Sequence, residues 1–362
     1  GRRPGGASSA PARAGPSAEP RAPVRRDRGA RARREVGGHR HETIPQQILA
    51  IRAWFVPDSG TAAVQILRER RKSRRRSPPC FRSLRAAPMK LVMQDRYAGD
   101  VGDFMKLGLL RWLVAPTPFA PQRQLGVIWY RVPDESHNAD GKHIGYLDPS
   151  STAGQDLRPL DADLYDRLRD VVSSDDRSVA ALAAAGVLPP STRYYDEVLD
   201  FSDLAPTDRP ARTVRRERWF HEAMVAVDSC SLVFVDPDNG LRRDDHPVPA
   251  HRNLAEKHVY LSEVQRILDR GQSVVVYHHA DRSERVPDQA QSRMEDIHDE
   301  LGLEPVAAVQ ATRGSSRLFL VIPSNDHHRS ELDHRLAALQ LSNWGDELRV
   351  HRWQRVGAHA VA

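Results

Sequence analysis

Apolar residues follow two different spacings between residues 100 and 341, and each spacing predicts one kind of element. Apolar residues that recur every three or four positions predict helices, and such stretches cover 100–114, 161–174, 178–188, 215–229, 253–271, 288–303 and 329–341. Short, almost continuously apolar stretches predict buried strands, and they cover 124–132, 231–236, 273–279 and two strands within 305–324. A further short strand is predicted within 192–201.

The order of these elements predicts the fold class. Strands alternate with helices, and the strands themselves show little alternation of apolar and polar residues, which is typical of a parallel sheet covered on both faces. A turn at Gly314 and Ser315 joins the last two strands, so residues 317–324 are predicted to form an antiparallel edge strand. We therefore expect a doubly wound α/β domain with a mostly parallel sheet over residues 89–345, followed by a C-terminal tail at 346–362.

The first 88 residues differ sharply in composition from the rest. They contain 21 Lys and Arg against 6 Asp and Glu, a net charge of +15, whereas the remainder of the chain carries −9. So few apolar residues predict disorder, and the basic run at 68–77 is typical of a nucleic-acid arm or a targeting signal. Because Met89 and Met93 stand just before the first regular segment, we interpret residues 1–88 as a disordered arm outside the native protein, and we assign no function to it.

Several classes of protein are disfavoured by features that the sequence lacks. The two cysteines, Cys80 and Cys230, are far apart, so no zinc ribbon or disulfide framework is indicated. Neither of the two best-marked nucleotide-binding glycine loops is present. No apolar run reaches the length of a membrane span, and no signal peptide is recognisable. We therefore expect a cytoplasmic protein that does not contact a membrane.

Polar clusters follow three of the predicted strands, at residues 133–143, 236–245 and 278–285. Any one of them could be an ordinary turn, since Asp, Asn, Pro and Gly are turn formers. In a doubly wound sheet, however, all three would lie at the carboxyl edge, where such sheets bind ligands. Three clusters at one edge predict a functional site.

Two chemistries are open for this site. Its donors are oxygens and imidazoles, which could hold Mg²⁺ or Mn²⁺ in a nuclease or phosphoesterase. The candidate metal ligands are Asp134, Asp140, Asp236 and Asp238, and Glu135, His137 and His278 are further donors in the same clusters. Alternatively, Asp236 and Asn239 could accept hydrogen bonds from an exocyclic amine and orient its lone pair, as methylation from a sulfonium donor requires. A non-catalytic binding protein on the same scaffold is a third possibility.

Short motifs favour the second chemistry. In "YAGDVGDFMKLGLL", residues 97–110, the residues Ala98, Gly99, Asp103 and Lys106 match the A-G-N-x-x-D-x-x-K-H motif of the bacterial 23S rRNA adenine-N6 methyltransferases. The family's D-P-P-Y motif, W-Y-P strand end and final G-S-G-L-L-V-I-N strand correspond in order to residues 236–239, 275–279 and 314–324. The chain thus resembles this family over about 225 residues by the order of short motifs.

The resemblance implies a methyltransferase-like Rossmann fold, S-adenosylmethionine as cofactor and a nucleobase, hence a nucleic acid, as acceptor. It implies that Asp236 and Lys106 are site residues, and the amine-binding argument adds Asn239 as the third candidate catalytic residue. The residues implied near the cofactor are Tyr97, Asp103, Asp134, Glu135 and His137. Four departures from the family bear on these roles: Asn239 replaces the base-stacking tyrosine, Asp238 the second proline, Leu107 the histidine, and the polar 133–143 segment a glycine-rich loop.

Overall fold

A computed structural model of the chain describes residues 98–118, 120–132, 143–174, 176–245 and 255–354. The basic arm predicted at 1–88 and the first strand-end cluster, except His143, lie outside the described residues. The helices are α1 Val101–Val114, α2 Thr152–Leu157, α3 Ala162–Ser173, α4 Val179–Ala184, α5 Arg209–Ala226, α6 Leu261–Leu268, α7 Val286–Leu301 and α8 Asp326–Leu341. The strands are β1 Leu125–Trp129, β2 Arg193–Tyr195, β3 Leu232–Asp236, β4 Gly240–Arg242, β5 His258–Tyr260, β6 Ser273–His279, β7 Ala307–Ala311, β8 Arg317–Ile322 and β9 Leu348–Arg352.

Seven of these strands form one sheet in the order β2-β1-β3-β6-β8-β7-β9. The first four are mutually parallel, whereas β8 is antiparallel to both of its neighbours and β9 is antiparallel to β7. Five of the seven strands therefore run in one direction, which confirms a mixed α/β fold with a mostly parallel sheet. Strands β4 and β5 form a separate parallel pair.

Helices cover both faces of the sheet. On one face, α1, α3, α4 and α8 pack against alternate strand residues such as Val127, Phe234 and Val275. On the other face, α5, α6 and α7 pack against the intervening residues, such as Ile128, Val235 and Val276. Because the central strands are buried on both faces, they have no polar side, which explains their continuous apolar sequence. Within the described residues, no helix combines the length and the apolar character needed to cross a membrane.

Three predictions about elements were wrong. Strand β8 is antiparallel as expected, but it lies inside the sheet between β6 and β7, so it is not an edge. The stretch predicted as a C-terminal tail contains β9, the actual edge strand, whose alternating charged sequence "LRVHR" carries no apolar run. The helix predicted over 253–271 is split: 258–260 forms β5, and α6 begins only at Leu261, where the Glu263 carboxylate accepts the Tyr260 N–H.

Candidate active site

The order of strands in the sheet reverses between β1 and β3. The chain passes from β1 outward to β2 and then returns to β3 on the other side of β1. In open α/β sheets, the crevice at the carboxyl ends of such a strand pair is the usual ligand site. Trp129 and Asp236 are the last residues of β1 and β3 and stand in register with each other. Asp236 therefore lies where this fold class places its chemistry.

Helix α1 brings a lysine to this carboxylate. Asp100 caps the helix by accepting the Asp103 N–H at 2.9 Å, as a helix N-cap aspartate does. Asp103 in turn accepts the Gly99 N–H at 3.0 Å, which holds the residues before the helix against its first turn. Lys106 follows one turn later and therefore lies on the same side of the helix as Asp103.

Lys106 joins two carboxylates. Its Nζ lies 2.8 Å from Asp103 Oδ1 and 2.9 Å from Asp236 Oδ2, and 4.6 Å from the centre of the Trp129 ring. The three charged side chains are only 7–12% exposed. A buried charge needs partners, and here one ammonium group is shared between two carboxylates over an aromatic face.

The pKa values of this group follow from its burial. Burial alone would lower the pKa of Lys106, but Asp103 and Asp236 outweigh that effect and raise it, so Lys106 stays charged. Burial raises the pKa of Asp236, and Lys106 opposes that rise. Asp236 is thus a carboxylate with increased affinity for a proton.

One oxygen of Asp236 remains available. Oδ2 accepts the hydrogen bond from Lys106, whereas Oδ1 makes no hydrogen bond to any residue that the structure describes. A carboxylate oxygen in this position can accept a hydrogen bond from a ligand N–H or O–H.

A second ion pair borders the group. Arg317, the first residue of β8, lies 3.3 Å from Asp100 through Nη2 and Oδ2, and it is close enough to Tyr277 to interact with the phenol. Gly102 makes this possible, because a Cβ there would lie 2.1 Å from the Arg317 guanidinium carbon. With every group ionised, Asp100, Asp103 and Asp236 against Lys106 and Arg317 leave one negative charge.

Asp238 and Asn239 both contact Lys257, and Asp238 is close enough to Asp236 to raise the pKa of that carboxyl. Asp238 Oδ2 lies 3.4 Å from Lys257 Nζ, and the Asn239 N–H donates to the Lys257 carbonyl at 2.8 Å. The Asn239 side chain lines a cavity together with His278, whose side chain is on the opposite face of the sheet from Tyr277. Lys106 is the hydrogen-bonding partner of Asp236, and the joint role of Asp236 and Asn239 around one ligand stays a prediction.

Five of the predicted site residues lie outside the described part of the chain: Tyr97, Asp134, Glu135, His137 and Asp140. Their roles stay predictions. Among the residues that are described, no group of three or more His, Cys, Asp or Glu side chains is arranged to hold a metal ion. The two described candidates for metal ligation, Asp236 and Asp238, are each paired with a lysine. The alternative of an Mg²⁺ or Mn²⁺ site thus gains no support from them.

Sequence reasoning missed three residues of this site: Asp100 as part of an ion pair, Arg317 and Tyr277. Arg317 follows a turn in a segment 217 residues from Asp100, and nothing local in its sequence points to α1. The sequence did contain one signal for the contact with Arg317. Gly102 lies in the first turn of a helix, where glycine lowers helix stability and often marks the close approach of another residue.

No protein-family model matches this chain, and no curated protein matches it. The function must therefore be argued from the site itself.

Proposed function

We propose that this chain is an S-adenosylmethionine-dependent methyltransferase that acts on an exocyclic amine of a nucleobase. The observation that carries the proposal is Oδ1 of Asp236, which has no hydrogen-bond partner among the described residues and lies at the carboxyl end of β3, beside the β1–β3 crevice. An oxygen held there by the Lys106 pairing is oriented before a ligand arrives, and prior orientation is a main source of catalytic rate.

The charges of the crevice fit a cationic cofactor. The described groups sum to one negative charge, and the aromatic rings of Trp129 and Tyr277 border them; a sulfonium centre is favoured by both. When bound, S-adenosylmethionine supplies a methyl group on a positively charged sulfur, and the electrons of the broken S–C bond stay on that sulfur. This proposal includes the residues that the resemblance implies near the adenosyl part of the cofactor. They are Tyr97, Asp103, Asp134, Glu135 and His137.

Asp236 would perform two tasks in the transfer. Its Oδ1 accepts a hydrogen bond from the amine, which directs the nitrogen lone pair away from the carboxylate and toward the methyl carbon. After the N–C bond forms, the nitrogen must lose a proton, and Asp236, whose pKa is raised by burial, takes it. Lys106 holds the other oxygen, so it is a positioning residue.

The sheet gives further support. Strands β2, β1, β3 and β6 are parallel with the order reversing at β1 and β3, and β8 is an antiparallel strand inserted next to β6. This arrangement is compatible with the methyltransferase-like Rossmann fold that the motifs imply. A nucleic acid as the acceptor rests on the same motifs.

The first prediction tests the proposal with Asp236→Asn. Calorimetric titration of the full chain with S-adenosylmethionine should give a dissociation constant on the order of micromolar. Transfer of a labelled methyl group to adenine-containing RNA and DNA oligonucleotides should fall about 100-fold in Asp236→Asn, because the amide cannot take the proton. Asp166→Asn is the matched control. Asp166 also forms an ion pair, in its case with Arg158, but this pair lies on the surface of α3.

Two results would contradict the proposal. One is the absence of any S-adenosylmethionine binding. The other is methyl transfer that is equal in Asp236→Asn and Asp166→Asn. Binding of Mn²⁺ that depends on Asp236, in place of the cofactor, would instead favour the phosphoesterase alternative.

A further inference from the structure

A cavity of about 530 Å³ lies on the face of the sheet opposite α1, next to the carboxyl end of β6. It is lined mostly by polar residues from five places: the turn after β3, the β4–β5 region, the end of β6, the loop that follows β6, and the first turns of α7. Its volume is in the range of small-molecule sites in proteins. Lys106 and Asp236 are not among its lining residues, so it is separate from the crevice described above.

His278 forms a fixed hydrogen-bond donor in this cavity. The Leu241 N–H donates to His278 Nδ1 at 3.1 Å, so the proton of the neutral ring is on Nε2. Within the described part of the chain, Nε2 has no hydrogen-bond partner. Gly240 allows the contact, because its φ is +102° and a Cβ there would lie 2.4 Å from Nδ1.

His278 also stays neutral. Burial, together with the nearby Arg293, His279 and His258, lowers its pKa to about 3, and Asp281 opposes this only in part. The ring therefore presents the same N–H donor throughout the physiological pH range.

Two neighbouring residues of α7 add donors. Arg293 Nη1 is anchored 2.8 Å from Asp296 Oδ2, and its other nitrogens make no hydrogen bond to a described residue. The Ser292 hydroxyl likewise has no partner among the residues described, and both side chains line the cavity. His278, Arg293 and Ser292 together offer more N–H and O–H groups than the protein uses.

The charges of the lining are mixed but favour an anion in the interior. Arg242, Arg243 and Arg293 face the two acidic residues Asp281 and Glu284. Both acids are exposed, so water and salt weaken their field. Arg243 is held by three carboxylates, those of Asp245, Asp296 and Glu300, so Arg293 and the neutral donors are the groups that we assign to the ligand.

We propose that this cavity binds a phosphate group carried by a small polar molecule of about mononucleotide size. A guanidinium, a neutral imidazole N–H and a hydroxyl are complementary to the acceptor oxygens of a phosphate. The proposal is independent of methyl transfer, because none of its residues contacts Asp236 or Lys106.

The second prediction is a calorimetric comparison of 5′-AMP, adenosine and orthophosphate on the full chain without S-adenosylmethionine. AMP should bind at least tenfold more tightly than adenosine. Arg293→Gln should remove that difference while leaving adenosine unchanged. Arg218→Gln, which removes an arginine that is 79% exposed on α5 and paired with Glu222, should leave all three affinities unchanged. Ser292→Ala, a small change on the surface of α7, should weaken AMP several-fold.

Equal affinity for AMP and adenosine would overturn the proposal, as would equal losses in Arg293→Gln and Arg218→Gln. Orthophosphate that binds as tightly as AMP, with both lost in Arg293→Gln, would support the phosphate site and identify free phosphate as its ligand. The AMP titration contains no methyl donor, so its outcome does not depend on cofactor binding. If AMP binds and S-adenosylmethionine, titrated separately, does not, the phosphate site is supported and the proposed transferase is refuted.

Discussion

At the scale of single residues, the molecule is governed by how buried charges are paired. Lys106 satisfies Asp103 and Asp236 at once, so removing it leaves two nearby carboxylates with no cation between them. Asp236 could be proposed from sequence because it ends an apolar strand. Its pairing with Lys106 depends on a contact across 130 residues, and only the motif resemblance brought both residues to notice.

The third prediction follows from this pairing. Lys106→Met should lower the free energy of unfolding by about 3 kcal/mol, since breaking a buried ion pair from one side strands the opposite charge. Adding Asp236→Asn to that variant should recover part of the loss, because the second carboxylate is then uncharged. Urea unfolding of the single and double variants measures both effects; a loss below about 1 kcal/mol would mean that the pair is solvated as surface pairs are.

At the scale of elements, long apolar segments were predicted well and short pairing segments were not. The strand at 273–279 has the predicted bounds, and α1 begins one residue after its Asp100 cap. Strands β4 and β5 have three residues each, and each is a strand because it pairs with the other. Such pairing cannot be predicted from the local sequence of either segment. Glycine at 240 is the residue that lets β4 approach β6.

The fourth prediction compares two glycines with positive φ. Gly302, after α7, has a φ of +64° and open space around its missing Cβ, so Gly302→Ala should cost about 1 kcal/mol of stability from backbone strain alone. Gly240→Ala should cost at least about 2 kcal/mol more, because the added Cβ also meets the His278 backbone and ring. Thermal or urea unfolding separates the two, and equal losses would show that β4 can move away from His278.

At the scale of the whole molecule, the sequence predicted an α/β fold with a mostly parallel sheet and the position of Asp236 at a strand end, but not the sheet order. Order depends on which strands meet after folding, and β8 and β9 could not be placed from their own residues. His278 was predicted only as a possible site residue at a strand end. It is a partly buried, neutral ring in the folded protein, and its protonation therefore affects the stability of the whole molecule.

The fifth prediction concerns acid sensitivity. The pKa of His278 is about 3 in the folded protein, against about 6.5 in an unfolded chain, so only the unfolded state binds this proton between those values. Stability is therefore lost as the pH falls below 6.5, by about 2 kcal/mol between pH 6.5 and 5 from this residue. His278→Asn keeps an acceptor for Leu241 and should flatten that part of the unfolding profile. His221→Asn, on the exposed side of α5, should not, and identical profiles for the two variants would disprove the assignment.

The position of β8 has a consequence for synthesis of the chain on the ribosome. Strand β7 is made before β8, yet β8 separates it from β6, so β7 can join the sheet only as half of a hairpin whose second strand arrives later. Until residues near 322 have emerged, β6 is a bare edge and α1 lacks Arg317. The crevice beside Asp236 thus acquires Arg317 only after β8 has been made, and a nascent chain released earlier would expose an apolar strand.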